Sequence, residues 1–300
     1  MKTVFALVIG FLAFSPLAAQ NGAGGSRALG ADVSGALSQM GGALASADDD
    51  VSPLDAYFLG RAVAANIIGR YRPYTRKPEA DRYLNEICAA ITVNSPMPDM
   101  YNGYHVMILD APELNAFATS GGHIFITRGL LEALPSEDAL AAVLAHEIAH
   151  IQLQHSVELI RHMRITRDLS HAADRAADIA AREASLRERK TLFDNAVRNM
   201  VTALTVNGYS REQEFQADIY AVRLLSLAGY APASLADVLA LLQKTTTTGG
   251  LNGTHPSPAQ RGSNVRQELT RNSRFYQAQD TASSRAARFE RFSAAVNSPY

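Results

Sequence analysis

Only one cysteine, Cys88, occurs in the 300 residues, so no intrachain disulfide can form. Its place on the apolar side of a helical segment reads as an inert core thiol, not a nucleophile. Excess charge is also missing. The 28 Lys and Arg nearly cancel the 29 Asp and Glu, leaving a formal net charge of -1. That removes the electrostatic case for nucleic acid as a partner. The apolar stretch from Val4 to Phe14 is too short to span a bilayer comfortably. With Lys2 before it and Ser15-Pro16-Leu17-Ala18-Ala19 behind, it reads as a signal peptide over 1–19, with an uncleaved anchor as the alternative. No cysteine follows, which argues against a lipoprotein anchor. Export is the expectation.

What is present divides the chain. Residues 20–52, rich in Gly, Ala, Ser and Asp, bury little and read as a flexible linker. Tyr57, Phe58, Ala62, Ile67 and Ile68 then set a helical pattern, which Pro73 and Pro78 break. A second helix carries Tyr83, Leu84, Ile87, Cys88 and Ile91 on one side. Strands are expected at Tyr104–Leu109, Asn115–Ala118 and His123–Thr127, the last two joined through Ser120-Gly121-Gly122. The glycine pair permits dihedral angles and close backbone approach that side chains forbid. An edge strand here would take an extended peptide by backbone pairing, with an ordinary hairpin as the alternative. Residues 156–206 read as long charged helices forming a cover, with an apolar stripe at Phe193, Val197, Met200, Val201 and Leu204. His105 and His123 read as structural, and His162 and His171 as solvated.

The stretch with chemistry is His146-Glu147-Ile148-Ala149-His150, an HExxH motif inside an apolar, alanine-rich run. Positions four apart on a helix share a face, so the two imidazoles lie one turn apart, within reach of one metal ion. Glu147 sits beside them as a general base. Chance yields such a motif in about one chain in a hundred of this composition, so context must decide. Ser136 followed by Glu137 and Asp138 reads as a helix start, and the helix formers after it run into the motif. Burying His-Glu-His in an apolar helix requires a compensating interaction, which a metal supplies. His155, five residues past His150, lies about 140° round a straight helix and is no obvious ligand.

A catalytic zinc site needs a third protein ligand and an open position. Ser210 to Asp218 offers one: Glu214 and Asp218 share a helical face amid apolar Phe215, Ala217, Ile219 and Val222. Glu214 can complete a His-His-Glu set. Asp218, a turn on, can bond the outer nitrogen of a ligating histidine and fix its tautomer. Glu212 lacks such a setting and reads as solvated.

From about Gly60 to Arg261 the chain resembles metallopeptidase family 48, the group of HtpX, the CAAX prenyl protease and the Oma-like zinc proteases. The resemblance rests on Asn115-Ala116-Phe117-Ala118 with Gly121-Gly122, on Leu144 to His150, on Ser210-Arg211 with Glu214 and Ala217-Asp218, and on Thr254-His255-Pro256 with Arg261. It implies an α+β, predominantly helical, zincin-like (gluzincin) fold with a small sheet beside the HExxH helix. It also implies one catalytic zinc on His146, His150 and Glu214, with Glu147 as base. His255 would either stabilise the transition state or cap the zinc in a latent form, with Arg261 as second choice for the oxyanion. Neither transmembrane helices like those of HtpX nor tetratricopeptide repeats occur, so the compact exported subgroup is the nearest likeness.

These readings converge on a zinc metalloendopeptidase with a catalytic domain over 53–262 and a polar tail over 263–300 ending in a short helix. Its expected partners are protein or peptide substrates, misfolded or outer-membrane proteins among them, with Asn115, Ala116, Phe117, Gly121 and Gly122 as substrate-binding residues. Its expected address is periplasmic, or membrane-associated on the periplasmic side, with secretion second. Peripheral attachment through the helical cover is left open. The rival is a chaperone or assembly factor for envelope proteins with little or latent proteolysis. Holding clients requires none of the motif residues, which favours the enzyme.

Overall fold

A computed structural model of the protein describes residues 52–75, 77–100, 102–162, 179–244, 255, 257–276 and 281–297. The expected signal peptide, nearly all of the linker, the 245–250 run and His171 lie outside the described residues. Helix α1 (Pro53–Arg70) begins at Ser52, whose hydroxyl accepts from the Asp55 amide at 3.2 Å, with Pro53 in the first turn where no amide proton is needed. Helix α2 (Pro78–Val93) also opens on proline and buries Leu84, Ile87, Cys88 and Ile91. Burial pushes the Cys88 thiol up to about 12, so it stays protonated and inert.

Three strands follow, β1 (His105–Leu109), β2 (Ala116–Ala118) and β3 (His123–Thr127). They form one sheet in the order β1-β3-β2, parallel between β1 and β3 and antiparallel between β2 and β3. Pro73 bridges to Leu109, and the Tyr74 amide donates to Ile108 O at 2.8 Å, so the outer side of β1 is partly covered. The glycines at the β2–β3 turn act through contact. A Cβ on Gly60 of α1 would stand 2.1 Å from the Gly121 nitrogen, and one on Gly122 would stand 2.3 Å from Gly103 O. Gly122 also takes φ 82°, a region costly for other residues.

The remaining elements are helical: α3 (Arg128–Ala133), α4 (Glu137–Gln152), α5 (His155–His162), α6 (Ile179–Thr202), α7 (Arg211–Leu227), α8 (Ser234–Lys244), α9 (Pro258–Arg271) and α10 (Ala282–Asn297). A π-turn (Ala203–Asn207), not anticipated from the sequence, links α6 toward α7. Helix α4 is the centre of the molecule. Every residue in it except Asp138 is buried, because α2, α7, α8 and α10 pack around it. A helix apolar on all sides belongs in a core, and its polar residues then need specific partners.

At its N-terminal end those partners come from the tail. Arg285 Nε donates to Asp138 Oδ2 at 3.0 Å, and Arg288 Nε donates to the buried Glu137 Oε2 at 3.1 Å. Tyr83 OH donates to the same Glu137 carboxylate at 2.6 Å, and Phe292 stacks on Tyr83 with centroids 4.3 Å apart. The acids that mark the start of α4 in the sequence are therefore also its clamp to α10. A second apolar cluster lies between α1, the sheet and α6, where Val197, Met200, Val201 and Leu204 meet Leu59, Val63, Phe117 and Phe125. The stripe expected on α6 is its contact face.

Candidate metal centre

Helix α4 starts where Ser136 Oγ accepts from the Ala139 amide at 3.1 Å, and it runs unbroken through the motif. His146 and His150 accordingly stand one turn apart with Nε2 atoms 3.1 Å from each other. Helix α7 starts at a capping box in which Ser210 and Gln213 satisfy each other's backbone amides. That start places Glu214 in the first turn and Asp218 one turn later. Small residues let the two helices approach: Ala141, Ala142, Ala145 and Ala149 of α4 share a core with Ala217 and Ala221 of α7. The approach is what delivers the Glu214 carboxylate to the two imidazoles.

Its oxygens lie 3.5 Å from His150 Nε2 and 3.6 Å from His146 Nε2. His255 brings Nδ1 to 2.8 Å from Glu214 Oε1 and 3.3 Å from His146 Nε2. One donor atom from each of His146, His150, Glu214 and His255 thus falls within a 4.8 Å cluster, and all four residues are buried. Two ligands each roughly 2.0–2.1 Å from a tetrahedral zinc stand about 3.3 Å apart. The contacts of 2.8 to 3.6 Å bracket that value, and the nitrogen and carboxylate donors suit zinc. The residues fit the ion.

Electrostatics agree with a cation cage. Burial works against charge on Glu214, yet His255 and Arg261 hold its carboxyl well below the usual range. Burial, with His146 next, keeps His150 well below the usual imidazole range and so neutral. Burial and Arg261 oppose a proton on His146, but its hydrogen bonds to Asp218 and Glu214 outweigh them and lift it to about 9. A metal entering the cage would displace that proton. Glu147 is 1% exposed, and among the described residues neither of its carboxylate oxygens has a hydrogen-bond partner, with His255 Nε2 3.8 Å from Oε1. Burial raises its carboxyl against the pull of His255 and His146. A buried carboxylate that makes no hydrogen bond beside a cation cage is placed to accept a proton.

Around the four donors lies a supporting layer. Asp218 Oδ1 sits 3.1 Å from His146 Nδ1, the outer nitrogen. Arg261, 3% exposed, forks onto Asp218 with contacts of 2.8 and 2.7 Å and reaches Glu214 Oε2 at 2.8 Å. Its guanidinium is therefore engaged by two carboxylates. Two more residues back the site: His155, which is not one of the four donors, and Tyr209, which the sequence did not single out. His155 is buried with Nδ1 2.9 Å from His150 Nδ1, and Tyr209 stacks on the His150 ring at 4.1 Å and 14°. For Tyr209 the only signal was its place just before the Ser210 cap.

The residues expected to meet substrate are placed otherwise than the metal set. Asn115, Ala116, Phe117, Gly121 and Gly122 are all buried. Phe117 packs into the second core cluster against Phe125, and Gly121 meets the backbone of α1. Strand β2 is nevertheless an edge of the sheet and lies against α4 and the π-turn. Glu212 is exposed, and His105 and His123, which begin β1 and β3, are not among the four donors.

Comparison with known proteins gives a family match. The model for peptidase family M48 matches residues 78–269, more than half of the chain. Among curated proteins, the mitochondrial metalloendopeptidase OMA1 of Schizosaccharomyces pombe is 31% identical over 150 residues, covering 50% of this chain and 40% of that protein. The metalloprotease LoiP of Escherichia coli is 27% identical over 184 residues, covering 60% and 69%. The β-barrel assembly-enhancing protease of Escherichia coli is 21% identical over 201 residues, covering 65% and 40%. The matched region thus spans less than half the length of two of these three relatives.

Proposed function

This chain belongs to peptidase family M48, and from that premise we propose that it is a zinc metalloendopeptidase hydrolysing peptide bonds in proteins. The carrying observation is the buried Glu147 carboxylate, without a hydrogen bond among the described residues, beside four convergent donors. His146, His150 and Glu214 would hold one zinc ion. Bound there, zinc supplies Lewis-acid polarisation of the scissile carbonyl and lowers the pKa of water towards neutrality. Glu147 accepts the proton of the attacking water and returns it to the leaving amine. Asp218 keeps His146 in the tautomer whose Nε2 lone pair faces the cage. Arg261, spent on Asp218 and Glu214, positions both carboxylates, which leaves His255 as the donor for the developing oxyanion.

His255 also gives the resting state its character. With Nδ1 among the four donors, it would take the position that a catalytic site must keep open. The same state has the β2 edge buried. We read the two together as a latent form: His255 withdraws and the β2 edge opens before an extended peptide pairs with its backbone. Substrates on this reading are misfolded or misassembled envelope proteins. Support comes from the expected signal peptide and from a relative whose name states β-barrel assembly. Among the described residues no helix is long and apolar enough to cross a membrane. A periplasmic or peripherally attached protein accommodates that.

The test is degradation of an unfolded protein such as casein by the zinc-loaded chain, beside Glu147→Gln and His255→Ala. We expect cleavage to vanish in Glu147→Gln with zinc retained, and His255→Ala to lower kcat through loss of the oxyanion donor while lowering KM through loss of the cap. Proteolysis surviving in Glu147→Gln refutes the base. Rescue of an envelope-stress phenotype by that variant makes the chaperone reading the right one.

A further inference from the structure

A straight helix would carry His155 away from His150, and the chain avoids that by ending α4 early. Gln152 is its last residue, Leu153 caps it, and Gln154 takes φ 57°, in the left-handed region. That reversal starts α5 at His155 and turns its ring back, so that Nδ1 meets His150 Nδ1 at 2.9 Å. The outer nitrogen of His155, Nε2, meets Gln216 Oε1 of α7 at 3.2 Å. The Gln216 amide is itself oriented, because its Nε2 donates to Glu212 Oε1 at 3.4 Å. A carboxylate accepts only, so the amide oxygen must be the atom facing His155.

We propose that His155 is a positioning residue that fixes the tautomer of His150, with Gln216 as the outer link. The Gln216 oxygen requires a proton on His155 Nε2. A neutral imidazole carries one N–H, so His155 Nδ1 is left as a lone pair. It accepts from His150 Nδ1–H, and His150 Nε2 is then a lone pair aimed at His146 and Glu214. The reverse arrangement would point an N–H into the cage and exclude a cation. Tyr209, stacked on the ring of His150, fixes its plane while His155 fixes its protons.

The two ligating histidines are thus held unequally. His146 donates to a carboxylate, Asp218, which is in turn gripped by Arg261, all of them buried. His150 donates through a neutral imidazole to an amide on an exposed residue, Gln216. A charged acceptor polarises its donor more strongly than a neutral one. His150 is the weaker and more adjustable arm of the cage.

This inference rests on the metal reading above, and its test does not use proteolysis. Zinc affinity of the metal-free protein is measured by competition with a chelating dye, for the native chain, His155→Phe and His155→Asn. Phenylalanine keeps the ring and removes the acceptor, whereas asparagine places an oxygen near the position of Nδ1. We expect His155→Phe to weaken zinc binding by about 10- to 100-fold and His155→Asn to stay within about threefold. Imidazole nitrogen NMR of the metal-free protein should show His150 as the Nδ1–H tautomer in the native chain and His155→Asn, and as a mixture in His155→Phe. Unchanged zinc affinity in His155→Phe, or an Nε2–H tautomer of His150 in the native chain, overturns the proposal. Should zinc bind with these differences while no protein is ever cleaved, the peptidase reading falls and this one stands.

Discussion

Replacing Arg261 with methionine removes one buried cation from between two buried carboxylates. Glu214 and Asp218 are each essentially inaccessible to water, and Arg261 meets them through contacts of 2.8, 2.7 and 2.8 Å. What remains for Asp218 is His146 at 3.1 Å, and for Glu214 it is His255 at 2.8 Å with His150 and His146 farther off at 3.5 and 3.6 Å. Methionine fills much of the volume, so the loss is electrostatic, not a cavity. Removing one partner of a buried ion pair costs about 3–5 kcal/mol, because the other is left charged without water. At about 2–4 °C per kcal/mol for a domain of this size, Tm should fall by roughly 6–20 °C. The assay is thermal unfolding followed by circular dichroism, with metal removed by chelator. Adding zinc should recover part of the loss, since it returns positive charge beside Glu214 and stabilises by about 4 kcal/mol at a thousand times its Kd. A metal-free variant melting within about 2 °C of the native chain would refute the reasoning. The guanidinium would then be incidental to the carboxylates it touches.

Two further outcomes follow from other parts of the fold. Among the described residues, Arg288→Met leaves the buried Glu137 carboxylate with the Tyr83 and Tyr230 hydroxyls, at 2.6 and 3.3 Å. Because Arg288 is itself half-exposed, the cost should be about 1–2 kcal/mol in urea unfolding, and a change below about 0.5 kcal/mol would show that α10 does not hold α4. His123 should give an acid-sensitive stability: burial first, then the charges of His105 and Arg61, lower its pKa from 6.5 to about 4. The unfolded chain binds this proton more readily than the native one, so the contribution is complete above about pH 6.5 and is lost as pH falls toward 4. His123→Phe should reduce the fall in Tm between pH 7 and 4.5 relative to the native chain, and identical falls would exclude the histidine as the cause.

The legible parts of this protein were those whose chemistry is local. The spacing of His146 and His150 and the Ser136 cap are read within one or two turns of a single helix. So are the Glu214–Asp218 pair and the proline breaks around 73 and 78. The three strands were legible to within a residue, because alternation and a glycine turn bound them closely. Asp218 beside the outer nitrogen of a ligating histidine followed from chemical need, and the structure makes that histidine His146.

His155 is not among the four donors, in keeping with its reading as no obvious ligand, but its place behind His150 was not foreseen, for a specific reason. A straight-helix projection is valid only while the helix continues, and a left-handed Gln154 ended it. The clamp of Arg285 and Arg288 on Asp138 and Glu137 joins residues about 150 positions apart, and no local pattern encodes such a pairing. Phe117 and the Gly121-Gly122 pair carried a family resemblance but no direction, and only packing against α1 turned them inward. The sequence by itself singled out the candidate ligands on α4 and α7, since ligand type and helical period are local properties, whereas His255 entered only through the family resemblance. The tertiary structure alone decided how four distant donors meet in one buried cage and which neighbours fix their protons. Those outcomes depend on how closely α4 and α7 approach, and that distance is set by the small residues between them and the elements packed outside.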